Sequence, residues 1–196
     1  MALLLGAALA LWAASLQRDR AAAERQAAYA QAAQDGADAV AGSLHACGML
    51  LRSVQTVFLA SEDVDPQEFA HIYENLRPRA EFPSLQAIAY ARREQRPGGD
   101  RYPTLLVLPL AGNESVVGLD VASQPNNLAA VLASRDTDQV AMSAPFRLVQ
   151  SGRSGMDGAG VTMRLPVFSP GLPPRTVAER RARLRGSLAT SFLVRR

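Results

Sequence analysis

No lysine occurs anywhere in this chain of 196 residues, so all 21 of its Lys+Arg positions are arginine. We read that as genome composition rather than function. Cysteine is almost as scarce: Cys47 stands alone, which excludes an internal disulfide framework and leaves the redox compartment open. Two histidines, His45 and His71, beside that single cysteine argue against a dedicated zinc site. The formal net charge is only +3, and without clustering on one face that does not support a nucleic-acid partner. Catalysis needs a nucleophile or proton-transfer group beside a partner. The sequence offers no Ser/His/Asp set, no acid pair in a plausible cleft and no metal-ligand spacing. It therefore reads as a non-enzyme, with no cofactor implied.

What is present is 48% hydrophobic residues, enough for one ordinary domain core plus an accessory segment at this length. Residues 2–16 (ALLLGAALALWAASL) are uncharged throughout. As a helix they span roughly 22 Å, short of the roughly 30 Å hydrocarbon core. Residues 1–17 are read as a transmembrane anchor, truncated at its start, with Trp12, Arg18 and Arg20 placed as interfacial anchors. A signal peptide competes, although the basic n-region is missing, and so does a buried core helix.

Residues 17–60 contain no proline and are rich in Ala, Gln, Arg and Glu, so they predict a long helix, a stalk over residues 18–62. Val40, Leu44, Cys47, Leu51, Val54 and Phe58 step by four and three, one apolar stripe suited to lie on a domain or to pair with a second copy. Cys47 falls on that stripe, which predicts a buried, inert thiol. The remaining domain, 63–196, opens with Asp65 as N-cap, Pro66 in the first turn and Glu68 completing a capping box. Phe69, Ile72, Tyr73 and Leu76 form the apolar face of that helix, Pro78 stops it, and His71 lies at its surface.

Further strands are expected at 85–92 and 104–110, joined by RPGGD turn chemistry, and at 116–121, 139–149, 161–168 and 187–194. A helix follows Ser123 or Gln124, with Leu128, Val131 and Leu132 toward the core. Thr176 and Glu179 cap a short helix ending at Gly186. Short helices, mostly antiparallel strands and one long helix give an α+β class.

Three features invite chemistry. The loop GRSGMDGAG (152–160) enters a strand rather than opening a helix and lacks a Gly-Lys-Ser/Thr ending, so a hairpin loop beside a pocket is preferred to a phosphate cradle. Arg180, Arg181, Arg183 and Arg185 form a basic cluster without interleaved aromatics, read as a solvated face. Asp120 sits inside the apolar run VVGLDVA, and a buried carboxylate there must have a donor. That donor is either Arg135, Arg147 or the amides of the following turn, or else a ligand N–H.

Together the blocks FPSLQAIAYARR (82–93), YPTLLVLPLAGNE (102–114), VVGLDVASQPNNLAAVLASRDT (116–137), APFRLVQ (144–150), GVTMRLPVFSPG (160–171) and TVAERRARLRGSLATSFLV (176–194) resemble the CHASE family. Its members are extracytoplasmic ligand-sensing domains of histidine kinases, diguanylate cyclases and plant cytokinin receptors. The resemblance implies a PAS-like antiparallel sheet behind a long N-terminal helix, in the periplasm and anchored to the inner membrane. It further implies a homodimer, a small organic ligand of adenine or cytokinin type, and signalling by ligand-dependent helix movement. A descending helix, a second membrane span and an output domain are expected beyond Arg196. By motif, the ligand-holding positions fall on Asp120 and Met142, with Leu148 and Leu165 in the apolar lining. The link from Arg93 to Tyr102 is shorter than in typical members. The competing reading is a structural module that dimerises through its long helix and binds nothing.

Overall fold

The computed structural model describes the backbone of residues 2–151 and 158–193, and the side chains of 20–150 and 158–193 together with Trp12, Gln17 and Arg18. Helix α1 (Ala2–Ala60) is followed by α2 (Pro66–Leu76), α3 (Pro78–Glu81), β1 (Leu85–Arg92), β2 (Thr104–Leu108), α4 (Pro125–Thr137), β3 (Ala141–Met142), β4 (Phe146–Arg147), β5 (Ala159–Phe168), α5 (Val177–Arg183) and β6 (Leu184–Leu193). The chain divides into two compact units, 1–45, which is the first part of α1 alone, and 46–196. No helix among the described residues is long and apolar enough to cross a membrane. The anchor expected over 1–17 rests largely on side chains outside the described residues.

In the second unit six antiparallel strands make one sheet in the order β2-β1-β6-β5-β3, with β4 also paired to β5. This is the α+β architecture expected, a long helix followed by an antiparallel sheet. The period of two along a strand decides the rest. On one face β1 presents Ile88 and Tyr90, β6 presents Leu188 and Thr190, and β5 presents Met163, Leu165 and Val167, as their register aligns them. The distal part of α1 covers this face. Cys47 Sγ lies 3.5 Å from Thr190 Oγ1, Gln55 Nε2 donates to the Pro166 carbonyl at 2.6 Å, and the Phe58 and Tyr90 ring centroids lie 4.6 Å apart with the planes tilted by 42°. Cys47, Leu51, Val54 and Phe58 are buried, each such side chain contributing on the order of 1.5–3 kcal/mol. Burial pushes the Cys47 thiol up, against a smaller opposing effect of Thr190, as an inert core thiol requires. The stripe predicted from Val40 onward is buried only from Cys47, and Val40 is exposed.

Both predicted capping boxes form. Asp65 accepts from the amides of Gln67 and Glu68 while Glu68 returns a bond to the Asp65 amide. Thr176 and Glu179 do the same for α5. Pro78 both ends α2 and opens the single turn of α3, which the sequence reading did not foresee. The helix placed up to Gly186 ends instead at Arg183, and β6 begins at Leu184 with no turn between. Residues 116–121 are not the strand expected. A 3₁₀ turn over Glu114–Val116, Gly118 with φ 76°, and a second 3₁₀ turn over Val121–Ser123 replace it, leaving a single bridge from Asp120 to Pro103.

Gly186 is required by packing rather than by backbone angle. A Cβ there would lie 2.4 Å from the Ala91 carbonyl oxygen and 2.7 Å from the Tyr90 ring. Strand-paired backbone cannot withdraw cheaply, so Gly186→Ala is expected to destabilise the domain by about 1–3 kcal/mol in chemical denaturation. A loss below about 0.5 kcal/mol, the range of neutral surface changes, would contradict this packing.

Candidate functional site

The face opposite α1 is lined by small residues. Ala87, Ala89 and Ala91 of β1 align with Ser191, Ala189 and Ser187 of β6, and Thr162 and Arg164 of β5 continue the row. Helix α4 and the turns around Leu119 and Val121 cover this face, and the shortness of the alanine and serine side chains of β1 and β6 leaves a cavity of about 40 Å³ beneath them. At about 10–15 Å³ per water it holds roughly three water-sized spheres. Its walls are apolar at Val116, Leu119, Val121, Phe146 and Leu148 and polar at Thr104, Gln124, Asn127, Gln150, Thr162 and Arg164. An open surface groove lined by Gln124, Pro125, Asn126, Phe146 and Arg147 shares Gln124 and Phe146 with the cavity, so those two side chains stand between it and the surface.

Arg164 dominates the site. It is only 4% exposed, and its Nε donates to Asn127 Oδ1 at 2.8 Å. Its two terminal nitrogens bond no described residue, and no acid among the described residues pairs with it. Burial alone lowers its pKa to about 9, still leaving a cation at neutral pH. Asn127 holds this guanidinium by a network of its own. Its Oδ1 also accepts from Thr162 Oγ1 at 2.8 Å, and its Nδ2 donates to Gln124 Oε1 at 2.8 Å. Neither this arginine nor Asn127 was singled out from the sequence. An arginine inside the otherwise uncharged run GVTMRLPVF was the available signal, the same signal that drew attention to Asp120.

Of the four positions expected to hold a ligand, the cavity wall contains Leu148. Gly160 makes room for it, since a Cβ at that glycine would lie 2.3 Å from Leu148 Cδ1. Leu165 is fully buried on the α1 face of β5, the opposite side of the sheet from Arg164. Met142 on the short edge strand β3 is 53% exposed. Asp120 is not a cavity residue. Its carboxylate accepts from Arg101 Nε at 2.8 Å, the Tyr102 amide at 2.8 Å and the Ala122 amide at 3.0 Å. The donors expected were Arg135, Arg147 or the following turn; the turn contributes Ala122, and the arginine is Arg101. These bonds pin the covering turn, with Leu119 and Val121, to the start of β2.

The basic cluster, expected as a solvated face, is exposed at Arg181 and half-buried at Arg180, Arg183 and Arg185, with hydrogen bonds from each. Arg180 Nε donates to the Asp136 carbonyl, and Arg181 reaches the Asp136 carboxylate at 2.6 Å. Arg183 donates to the carbonyls of Ser169 and Leu172, and Arg185 to those of Ser61 and Glu62. Hydrogen bonds from Arg181 and Arg135 hold the Asp136 carboxyl far below the usual carboxylate range. The glycine-rich loop 152–160 lies mostly outside the described residues. No group of three or more His, Cys, Asp or Glu among the described residues could hold a metal ion.

Fold and cavity together define an α+β domain with a helix packed on one sheet face and a small cavity on the other. A family model of the CHASE domain matches residues 62–196, more than half of the chain, and the chain belongs to that family. CHASE domains are extracytoplasmic sensor domains of signalling receptors and are not catalytic. No curated protein matches the sequence.

Burial pushes the Asp120 carboxyl up, but the bonds from Arg101, Tyr102 and Ala122 outweigh that and hold it below the usual range. A carboxylate with a lowered native pKa adds stability above its unfolded pKa and loses it as pH falls through the native value. Asp120→Ala is therefore expected to cost about 1–3 kcal/mol at pH 7, because two amides lose their acceptor. The deficit should shrink on acidification, as denaturation at pH 7 and pH 3 would reveal. A deficit independent of pH would remove the carboxylate from this account.

Proposed function

We propose that the chain is the small-molecule-sensing part of a receptor anchored in the cell inner membrane with this domain in the periplasm. The output module would be of histidine kinase or diguanylate cyclase type. The observation that carries the reading is the cavity, lined by both apolar and hydrogen-bonding side chains, on the sheet face away from α1. Its volume favours a ligand smaller than an adenine base unless the covering turns and the Gln124–Phe146 rim open. Leu148 encloses the ligand, and Asp120 acts by fixing the turn that carries Leu119 and Val121. Met142 and Leu165 serve the edge and the back of the sheet rather than ligand contact.

The signal passes to α1, which carries it as tilt or register. Two links support that route. Gln55 of α1 bonds the Pro166 carbonyl two residues from Arg164, and Arg52 of α1 bonds Asp138 at the end of α4. Homodimerisation through α1 is part of the proposal, since Val40 on its apolar stripe is 61% exposed within a single chain.

The test is a thermal-shift and calorimetric screen of small metabolites against the wild type and Ala189→Val, which narrows the cavity from its floor. Ligands are expected to stabilise the wild type and to bind the variant at least about tenfold more weakly, while the variant keeps its fold. Equal binding to both proteins would place the ligand elsewhere and remove the cavity from the sensing mechanism.

A further inference from the structure

Among the described residues one cation, Arg164, is buried without a counterion, and it lines the cavity. An isolated buried charge costs several kcal/mol unless it is paired, and proteins retain such a charge rarely. Arg164 has its Nε fixed by Asn127, which leaves Nη1 and Nη2, the two parallel donors of a guanidinium fork, without a partner among the described residues. That fork matches a carboxylate in geometry and charge. A second donor lies nearby. The Gln124 amide gives its oxygen to Asn127 Nδ2, so its own nitrogen is left over at the cavity rim. The Thr104 hydroxyl also lines the cavity and bonds no described residue. Helix α4 adds to the field, because it begins at Pro125 with no side chain capping its N-terminus, and Gln124 and Asn127 at that end both line the cavity.

We propose that the ligand of this cavity is a small organic carboxylate, of two to four carbons, whose carboxylate pairs with the Arg164 fork. Its short apolar portion lies toward Leu148, Phe146 and Val121. The proposal deepens the sensor reading and rests on it. Size and chemistry agree: room for roughly three water-sized spheres suits a molecule such as acetate, propionate or lactate. The wall is divided between one strongly positive end and an apolar remainder, which is the division such a molecule carries. Asn127 is a positioning residue in this arrangement, holding Nε so that the fork points to the cavity.

The experiment compares sodium acetate, propionate and lactate with acetamide, propionamide and sodium chloride at matched ionic strength, by thermal shift and calorimetry. Carboxylates are expected to raise Tm in a concentration-dependent manner, and the amides and chloride are not. Arg164→Met is expected to weaken carboxylate binding about 10- to 100-fold, the loss of charge-assisted hydrogen bonds. Its Tm without ligand should be unchanged or higher, because it deletes an unpaired charge; a structural arginine would lower it. Asn127→Asp supplies an internal carboxylate beside Arg164, so it is expected to raise Tm and abolish carboxylate binding in a folded protein.

Amides stabilising as well as acids, with Ala189→Val blocking both, would overturn the carboxylate assignment and leave the cavity as the sensing site. An equal shift from chloride would overturn it as well, marking a simple anion site. Binding of no compound would overturn the carboxylate assignment alone, whereas binding indifferent to Ala189→Val would overturn both the assignment and the sensor reading of this cavity.

Discussion

Everything in the second unit depends on the unequal filling of the two faces of one sheet. Strand geometry sends successive side chains to opposite sides. In β1 and β6 that alternation is also one of size, with Ile88, Tyr90 and Leu188 on one side, beside Leu165 and Val167 of β5, and alanines and serines on the other, beside Thr162 and Arg164 of β5. The bulky side makes the stable contact with α1. The small side cannot close against α4 and the covering turns, and the space left is the cavity. The cavity thus arises from what the strands omit, not from any special loop. Its floor is rigid because it is the middle of a six-stranded sheet.

This explains which parts of the molecule were legible from sequence. Local rules with a single mechanism transferred well: Asp65 with Glu68 and Thr176 with Glu179 both form reciprocal caps, because the partners lie within one turn of each other. The run VVGLDVA failed as a strand because composition alone does not register that Gly118 takes a positive φ. Nor does it register that the Asp120 side chain caps a turn. The arginines of α5 and the start of β6 looked solvated because their acceptors are backbone carbonyls and Asp136, none of which helical spacing can disclose. Such contacts are long-range. The alternation Ala87-Ile88-Ala89-Tyr90-Ala91 was readable in principle, but both residue classes are apolar, so a hydrophobic-polar reading merges them.

The two charged residues inside apolar runs illustrate how far a sequence argument reaches. Physical chemistry demands a partner for each, and says nothing of where it lies. Asp120 finds Arg101 and two amides within the chain, and these bonds tie the turn over the cavity to the start of β2. Among the described residues, the Arg164 guanidinium finds the neutral oxygen of Asn127 and no acid. The same rule, applied to the same kind of observation, separates a satisfied group from one whose charge is still uncompensated within the described chain. Burial costs are paid by selection only where something offsets them, and for Arg164 the protein itself provides little.

That imbalance has a mechanical consequence for a sensor. Arg164 is held by Asn127 in the first turn of α4, and the last turn of α4 ends at Asp138, which Arg52 of α1 bonds. Arg52 also bonds Gln55, and Gln55 bonds Pro166 on the same strand as Arg164. Cavity, α4, α1 and β5 therefore form a closed ring of polar contacts through the packed unit. Neutralising Arg164 changes the balance of attraction at one point of that ring, where α4 meets β5. In the proposed sensor, a shift there would reach α1 at two neighbouring positions, 52 and 55, one turn apart. Two attachment points on one helical turn favour a tilt or rotation of the helix over a simple translation, and α1 is the one element continuous with both units.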